Sequence, residues 1–184
     1  MFSSRLWNLF IDSFPKMFIR GLTVTIPLTA IAFSLAMVIA VIVALVQFAN
    51  IKVLKQICRF YIWIFRGTPL LVQLFIVFFG LMNVGLVLEP FLAAVIVFAL
   101  NEGAYGAETV RASLESVPSG QLEAGQCAGL SYLQTIFRIV LPQAMRTAFP
   151  SLFNALISRL KDTSLAATIT VTEMFKVSQQ IVAR

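Results

Sequence analysis

The chain has no histidine and only two cysteines, Cys58 and Cys127, far apart and in no ligand-like spacing. A zinc site, a His-dependent catalytic triad and haem ligation through histidine are therefore excluded. Charge is scarce as well: 12% of residues are charged against 59% hydrophobic, and the mean hydropathy is +0.92. A soluble domain needs far more charge to cover its surface. From Gly21 to Ile51 there is no Asp, Glu, Lys or Arg, a run longer than the ~20 residues a helix needs to cross the hydrocarbon core. It is also too long for the h-region of a signal peptide, and no A-x-A site closes it. The net charge of +6 does not point to nucleic acid, because no basic run carries interleaved aromatics. Its Lys and Arg residues fall mainly between apolar runs, where they set topology.

What is present is a series of apolar blocks, about Leu22–Phe48, Thr68–Leu88, Pro90–Val110 and Gln143–Leu160. A shorter tail, Leu165–Val171, reads as a half-inserted segment. We expect an all-α membrane protein with about four transmembrane helices, in a single domain over residues 1–184. Lys52, Lys55, Arg59 and Arg66 lie between the first two blocks, and Arg111, Arg138 and Arg146 between the last two. The connection between the second and third blocks has no Lys or Arg. The first and third connections are thus expected in the cytoplasm. The N-terminal segment then faces outward, against the tendency of Arg5, Lys16 and Arg20.

The long connection Arg111–Pro142 carries signals for two short helices and a sharp corner. Ser119, after Pro118, can cap the first, with Glu123 near its positive end. Gly129 suits a left-handed stop. Ser131 and Gln134 form a capping-box pattern for the second, and Pro142 cannot easily occupy a helix interior. Ala124, Gly125, Cys127 and Ala128 give the first piece a small-residue surface that another protein can approach closely.

Within this element, Glu123-Ala124-Gly125, then Gly129, then Ile139-Val140-Leu141-Pro142 resembles the EAA loop of ATP-binding-cassette importer permeases. Three further segments narrow the resemblance. Arg66-Gly67-Thr68-Pro69-Leu70 opens the second block. Leu100-Asn101-Glu102-Gly103-Ala104-Tyr105-Gly106-Ala107-Glu108 lies in the third, with Val117-Pro118-Ser119-Gly120-Gln121 after it. Lys161-Asp162-Thr163-Ser164-Leu165 follows the fourth. In this order, from about Gly21 to the C-terminus, they are similar to the polar amino acid permeases of the histidine/glutamine/arginine type.

The resemblance implies that Glu123, Ala124, Gly125, Gly129, Leu141 and Pro142 form a cytoplasmic coupling helix and its surroundings, docking on a separate ATPase. It also implies a second permease subunit, identical or not, and an extracytoplasmic amino-acid-binding protein. The localisation implied is the cytoplasmic (inner) membrane, crossed several times. The sequence departs from the family at Gly125, where alanine is usual, and at Ala155, where an acid or amide often follows the asparagine matching Asn154. A further membrane helix is usual after the motif-bearing region, so an end at Arg184 suggests truncation.

Asn101, Tyr105 and Glu108 are spaced i, i+4, i+7 and share one helix face. A carboxylate facing lipid is expensive, so Glu108 is expected to face a cavity or a partner charge. An amino acid offers an ammonium for that carboxylate and a carboxylate for neighbouring donors, with Gly103 and Gly106 leaving room. Alternatively, Glu108 only pairs with Arg111 one turn on. Glu102, a quarter-turn away, is expected near the membrane surface. Lys161, Asp162, Thr163 and Ser164 mark a break between apolar runs; such breaks often line a substrate site, or form a solvated turn. Arg66, Gly67, Thr68 and Pro69 read as a helix start, with Pro69 in its first turn and Arg66 as an interfacial anchor or part of a gate.

No nucleotide-binding loop is present: Gly120 and Gly125 have the glycine spacing of a P-loop, but Gln126-Cys127 follows where Lys-Ser/Thr is required. No nucleophile–base pair or metal set is found either. The chain is thus expected to carry no catalytic residue or cofactor of its own and to depend on ATP used by a partner. A secondary transporter or channel using Glu108 and Glu102 remains the alternative, although it leaves the helix–corner–helix element unexplained.

Overall fold

The computed structural model describes residues 4–49 and 51–183. The side chain of Arg5 lies outside what is described. Helices are the only regular secondary structure among the described residues. Helix α1 (Ser4–Arg20) runs through one π-helical turn (Gly21–Thr25) into α2 (Ile26–Phe48). Leu9–Phe48 therefore forms one candidate span of 40 residues, and the first block begins earlier than its charge-free core suggests. The π-turn sits just before Pro27, whose missing N–H would otherwise interrupt the α-ladder.

After α2 comes α3 (Lys52–Gly67), then α4 (Leu70–Phe75), a π-turn (Ile76–Gly80) and α5 (Leu81–Asn83). The basic stretch before the second block is thus an amphipathic helix rather than a simple connection. It meets the following helical segment at 104°, the geometry of a broken span or a re-entrant loop. Pro69 lies before α4 in extended conformation and not within its first turn. Helix α6 (Pro90–Glu115) is the second unbroken span, and Glu89 caps it by accepting from Leu92 N–H at 2.9 Å.

Helices α2 and α6 form the core pair. Leu28, Ala32, Ala36, Ala40 and Ala44 recur every fourth residue on α2 and are fully or almost fully buried. Ile31, Leu35, Val38 and Ile42 form its exposed apolar side. This inversion, small residues inside and large ones outside, is how helices approach closely in lipid. Gly103 and Gly106 complete the contact. A Cβ built on Gly103 would lie 2.8 Å from Ile39 Cγ2 and 2.9 Å from the Tyr61 hydroxyl, and one on Gly106 would lie 3.0 Å from Ala40 Cβ. The room beside these glycines is therefore filled by other helices and is not left open for a substrate.

Helix α7 (Gly120–Cys127) is followed by α8 (Tyr132–Thr135), a π-turn (Ile136–Val140) and α9 (Leu141–Asp162). The second half of the loop element is not a short helix. It continues unbroken into the fourth block, and the π-turn absorbs Pro142 as the earlier one absorbs Pro27. At 22 residues, α9 is ~33 Å long, but it is not apolar enough to count as a candidate span. The described residues hold two helices that are, or three with the bent pair, rather than about four. A 3₁₀ segment (Thr163–Ile169) prolongs α9 until Thr170, whose φ of 70° turns the chain. Lys161–Ser164 therefore lie within continuous helical structure rather than at a break. Helix α10 (Met174–Val182) is capped by Glu173, which is almost wholly buried and accepts from the Phe175 and Lys176 amides at 2.7 and 2.6 Å.

Candidate functional site

The elbow between α3 and α4 is dictated locally. Thr68 precedes a proline and is driven to extended geometry (φ −120°, ψ 142°), which stops α3 at Gly67. The stop leaves carbonyls without helical partners. Gln73, buried, donates through Nε2 to Phe65 O (2.9 Å), Thr68 O (3.0 Å) and Thr68 Oγ1 (2.8 Å). Asn101 of α6, also buried, donates to Phe65 O and Gln73 Oε1, both at 3.1 Å. The freed carbonyls of the elbow are thus satisfied from within the protein, the condition under which broken helices are tolerated in a membrane.

Elbow, α6 and α9 enclose a cleft of about 840 Å³. Arg66, Gly67, Thr68 and Pro69 form one wall, Asn101, Tyr105 and Glu108 the second, and Asp162 part of the third. These eight sequence-derived residues are brought together. Lys161, Thr163 and Ser164 are not: they line a separate, largely apolar cavity of about 420 Å³ beside Gly21, Thr25 and Met174. The Thr163 hydroxyl donates to Leu160 O at 2.7 Å, a helix-end contact.

Arg159 escaped the sequence reading, and Glu102 was read without its partner. Arg159 is buried and donates through Nη2 to Glu102 Oε2 (2.5 Å) and Asn101 Oδ1 (3.1 Å), with Nη1 3.4 Å from Asp162 Oδ2. Glu102 is buried within the protein, with only 7% of its side chain exposed. The signal was present in the fourth block, where Ser151, Asn154, Ser158 and Asp162 recur at helical spacing and, with Ala155 and Arg159, line the cleft.

Glu108 combines both readings offered for it. Arg111 holds it through two hydrogen bonds (Nε–Oε1 3.2 Å, Nη2–Oε2 3.0 Å), yet it also faces the cleft. Arg66 Nη1 stands 3.8 Å from Glu108 Oε2, and its guanidinium lies over the Tyr105 ring at 5.1 Å. The cleft therefore presents cationic, anionic and neutral polar groups within one helix-lined space.

At the loop, Glu123, Ala124 and Gly129 lie on an exposed ridge. The capping box of Ser131 and Gln134 is formed, and Gly129 adopts φ 78° as its left-handed stop requires. Ser119, by contrast, makes no capping hydrogen bond; its own backbone is already helical, which aims the side chain away from the N–H groups it would cap. Gly125 is buried against Thr135, and Leu141 packs with Leu122 in the cluster behind the loop, while Pro142 is exposed.

Comparison with known proteins brings these features together. Residues 36–183 match the family model described as binding-protein-dependent transport system inner membrane component. The L-cystine transport system permease protein TcyB of Bacillus subtilis (strain 168) is 46% identical over 178 residues, covering 97% of this chain and 76% of TcyB. The nopaline transport system permease protein NocM of Agrobacterium fabrum is 36% identical over 186 residues, covering 96% of this chain and 77% of NocM. The crystal structure of an amino acid ABC transporter with histidines superposes with a TM-score of 0.84 at 32% identity, over all of this chain and 86% of that one. None of these matches supports the secondary-transporter alternative.

Proposed function

We propose, because the chain belongs to the family of binding-protein-dependent transport system inner membrane components, that this permease subunit of an ATP-binding-cassette importer carries a polar, zwitterionic amino acid through the cleft. The observation that carries the reading is the uninterrupted helical path from Tyr132 to Asp162. One end of that path abuts the exposed loop ridge, and the other supplies a wall of the cleft. A rigid helix bearing on both places lets a rotation at the loop move the cleft wall, without any segment having to melt.

The remaining parts follow from this reading. A separate ATPase docks on Glu123, Ala124 and Gly129 and consumes ATP, for which this chain has no phosphate-binding loop. A second permease subunit closes the open side of the cleft, and an extracytoplasmic binding protein delivers the amino acid. The chain crosses the cytoplasmic membrane several times, with the α7 loop inside. Carboxylate and ammonium of the cargo meet the opposite charges of the cleft. Ala155 on the cleft wall offers no charge to a side chain, so selectivity there is by shape.

The test is uptake of labelled amino acids into vesicles holding the permease, its ATPase and its binding protein. Uptake should need ATP and collapse in an assembled Glu123→Ala, Gly129→Asp complex. Uptake without ATP that disappears with the ion gradient would overturn the reading.

A further inference from the structure

A second cavity, of about 650 Å³, abuts the cleft. Its outer walls come from Gln47 at the end of α2, Lys55 and Arg59 of α3, and Arg111 and Glu115 at the end of α6. The two cavities share four lining residues: Arg66, Gly67, Tyr105 and Glu108. These four residues form the wall between the cleft and the cavity at the ends of α2 and α6.

The wall has one fixed charge and one loose one. Glu108 is fixed, because Arg111 grips it with two charge-assisted hydrogen bonds at 3.0 and 3.2 Å. Arg66 is loose. At 3.8 Å it is beyond hydrogen-bond range of Glu108, and 43% of its side chain is exposed. It sits at the end of α3, next to Gly67, where an added Cβ would meet nothing within 4 Å. Beyond Gly67 the chain turns through the 104° elbow. Arg66 can therefore swing while Glu108 stays.

We propose that Arg66 and Glu108, with Tyr105 beneath the guanidinium, form a gate that a zwitterion opens by charge exchange. The pair of opposite charges across the wall matches the two charges of an α-amino acid. The ammonium of the cargo takes the place of Arg66 at Glu108, and the carboxylate of the cargo takes the place of Glu108 at Arg66. No charge is left stranded during the exchange, which would be costly in this partly desolvated wall. An amine without the carboxylate offers Arg66 nothing, so the wall stays shut. The gate rests on the amino acid reading above and adds a residue pair that selects for the zwitterion itself.

The assay uses proteoliposomes holding the complete complex, loaded with labelled L-histidine or its decarboxylated amine, histamine, in the absence of ATP. Wild type should retain histamine and release histidine faster, since only the zwitterion can exchange charges at the wall. Arg66→Gln, which keeps bulk but removes the charge, should raise histamine efflux by up to about fivefold, the change in an equilibrium worth one partly exposed ion pair. Arg66→Lys should stay close to wild type. Wild-type histidine efflux no faster than histamine efflux, or histamine efflux from Arg66→Gln vesicles no faster than from wild type, overturns the gate. Should Arg66→Gln fail to assemble, Glu108→Gln removes the same pair from the other side and carries the same expectation. Absence of ATP-driven uptake of any amino acid by wild type would instead overturn the importer reading, since the leak is measured without ATP.

Discussion

Replacing Gly125 by alanine sets two physical effects against each other. Alanine is favoured over glycine inside a helix by ~1 kcal/mol, and α7 is a short exposed helix where that gain should appear. The position is not empty, however. A Cβ on Gly125 would lie 2.4 Å from Thr135 Cγ2, 2.6 Å from Thr135 Oγ1 and 3.1 Å from Thr135 Cβ. Thr135 cannot yield easily: it is fully buried, and its hydroxyl donates to Ser131 O at 3.0 Å. Forcing a methyl into such a site costs ~1–3 kcal/mol. With the nearest contact far inside van der Waals range, the upper end applies, leaving a net loss of ~2 kcal/mol after the helix gain. Amide hydrogen exchange of residues 120–135 in the assembled complex reads this directly, as about a thirtyfold loss of protection. Thr135→Ala in the same chain should restore most of that loss, because it removes the two closest atoms. Protection that rises in Gly125→Ala alone would refute the argument and leave propensity as the deciding term.

Other substitutions test other parts of the structure. Arg159→Leu leaves the Glu102 carboxylate buried without its cation, an arrangement that costs ~3–5 kcal/mol; thermal unfolding in detergent should show a large drop, mostly recovered in the Glu102→Leu, Arg159→Leu double variant. Gly103→Ala places a methyl against Ile39 and the Tyr61 hydroxyl and should loosen the α2–α6 pair by ~1–3 kcal/mol, measured in the same way. Gly129→Ala keeps open space around the residue but forces alanine to φ 78°, a cost of ~1–2 kcal/mol; transport per ATP consumed should fall, with Gly129→Asn intermediate.

How much was legible beforehand depended on where the information resides. The charge-free run of the first block announces a candidate span, and the third, despite Glu102 and Glu108, was readable from its length and hydrophobicity. The capping box at Ser131 and the left-handed Gly129 are local chemistry and appeared as expected. What stayed hidden was tertiary. Arg159 and Glu102 are 57 residues apart in sequence, and no local pattern pairs them. The bend at Gly67–Pro69 was visible as a helix start, but its role as a cleft wall came only with Gln73 and Asn101 folded onto it. Pro142 misled because a proline inside a helix is rare in water. A single π-turn rearranges the ladder ahead of it, and the sequence carries no overt mark of such a turn. Gly125 was read as a departure from the family's usual alanine, whereas its missing side chain is what lets Thr135 sit there.

The elbow also constrains how the protein is made. Its bared Phe65 carbonyl receives one donor from Gln73, eight residues later, and another from Asn101, 36 residues later. During synthesis the first donor emerges almost at once, and the second only when α6 is largely complete. Until then Phe65 O has its Gln73 donor but the Gln73 side-chain oxygen lacks the Asn101 donor, and hydrocarbon would not solvate it. The bent segment must therefore wait in a wet or protein-lined setting, such as the insertion machinery, and enter the bilayer together with α6. Biogenesis of this subunit is then a pairwise event at its centre, and a substitution at Asn101 would be felt as failed insertion before it was felt as failed transport.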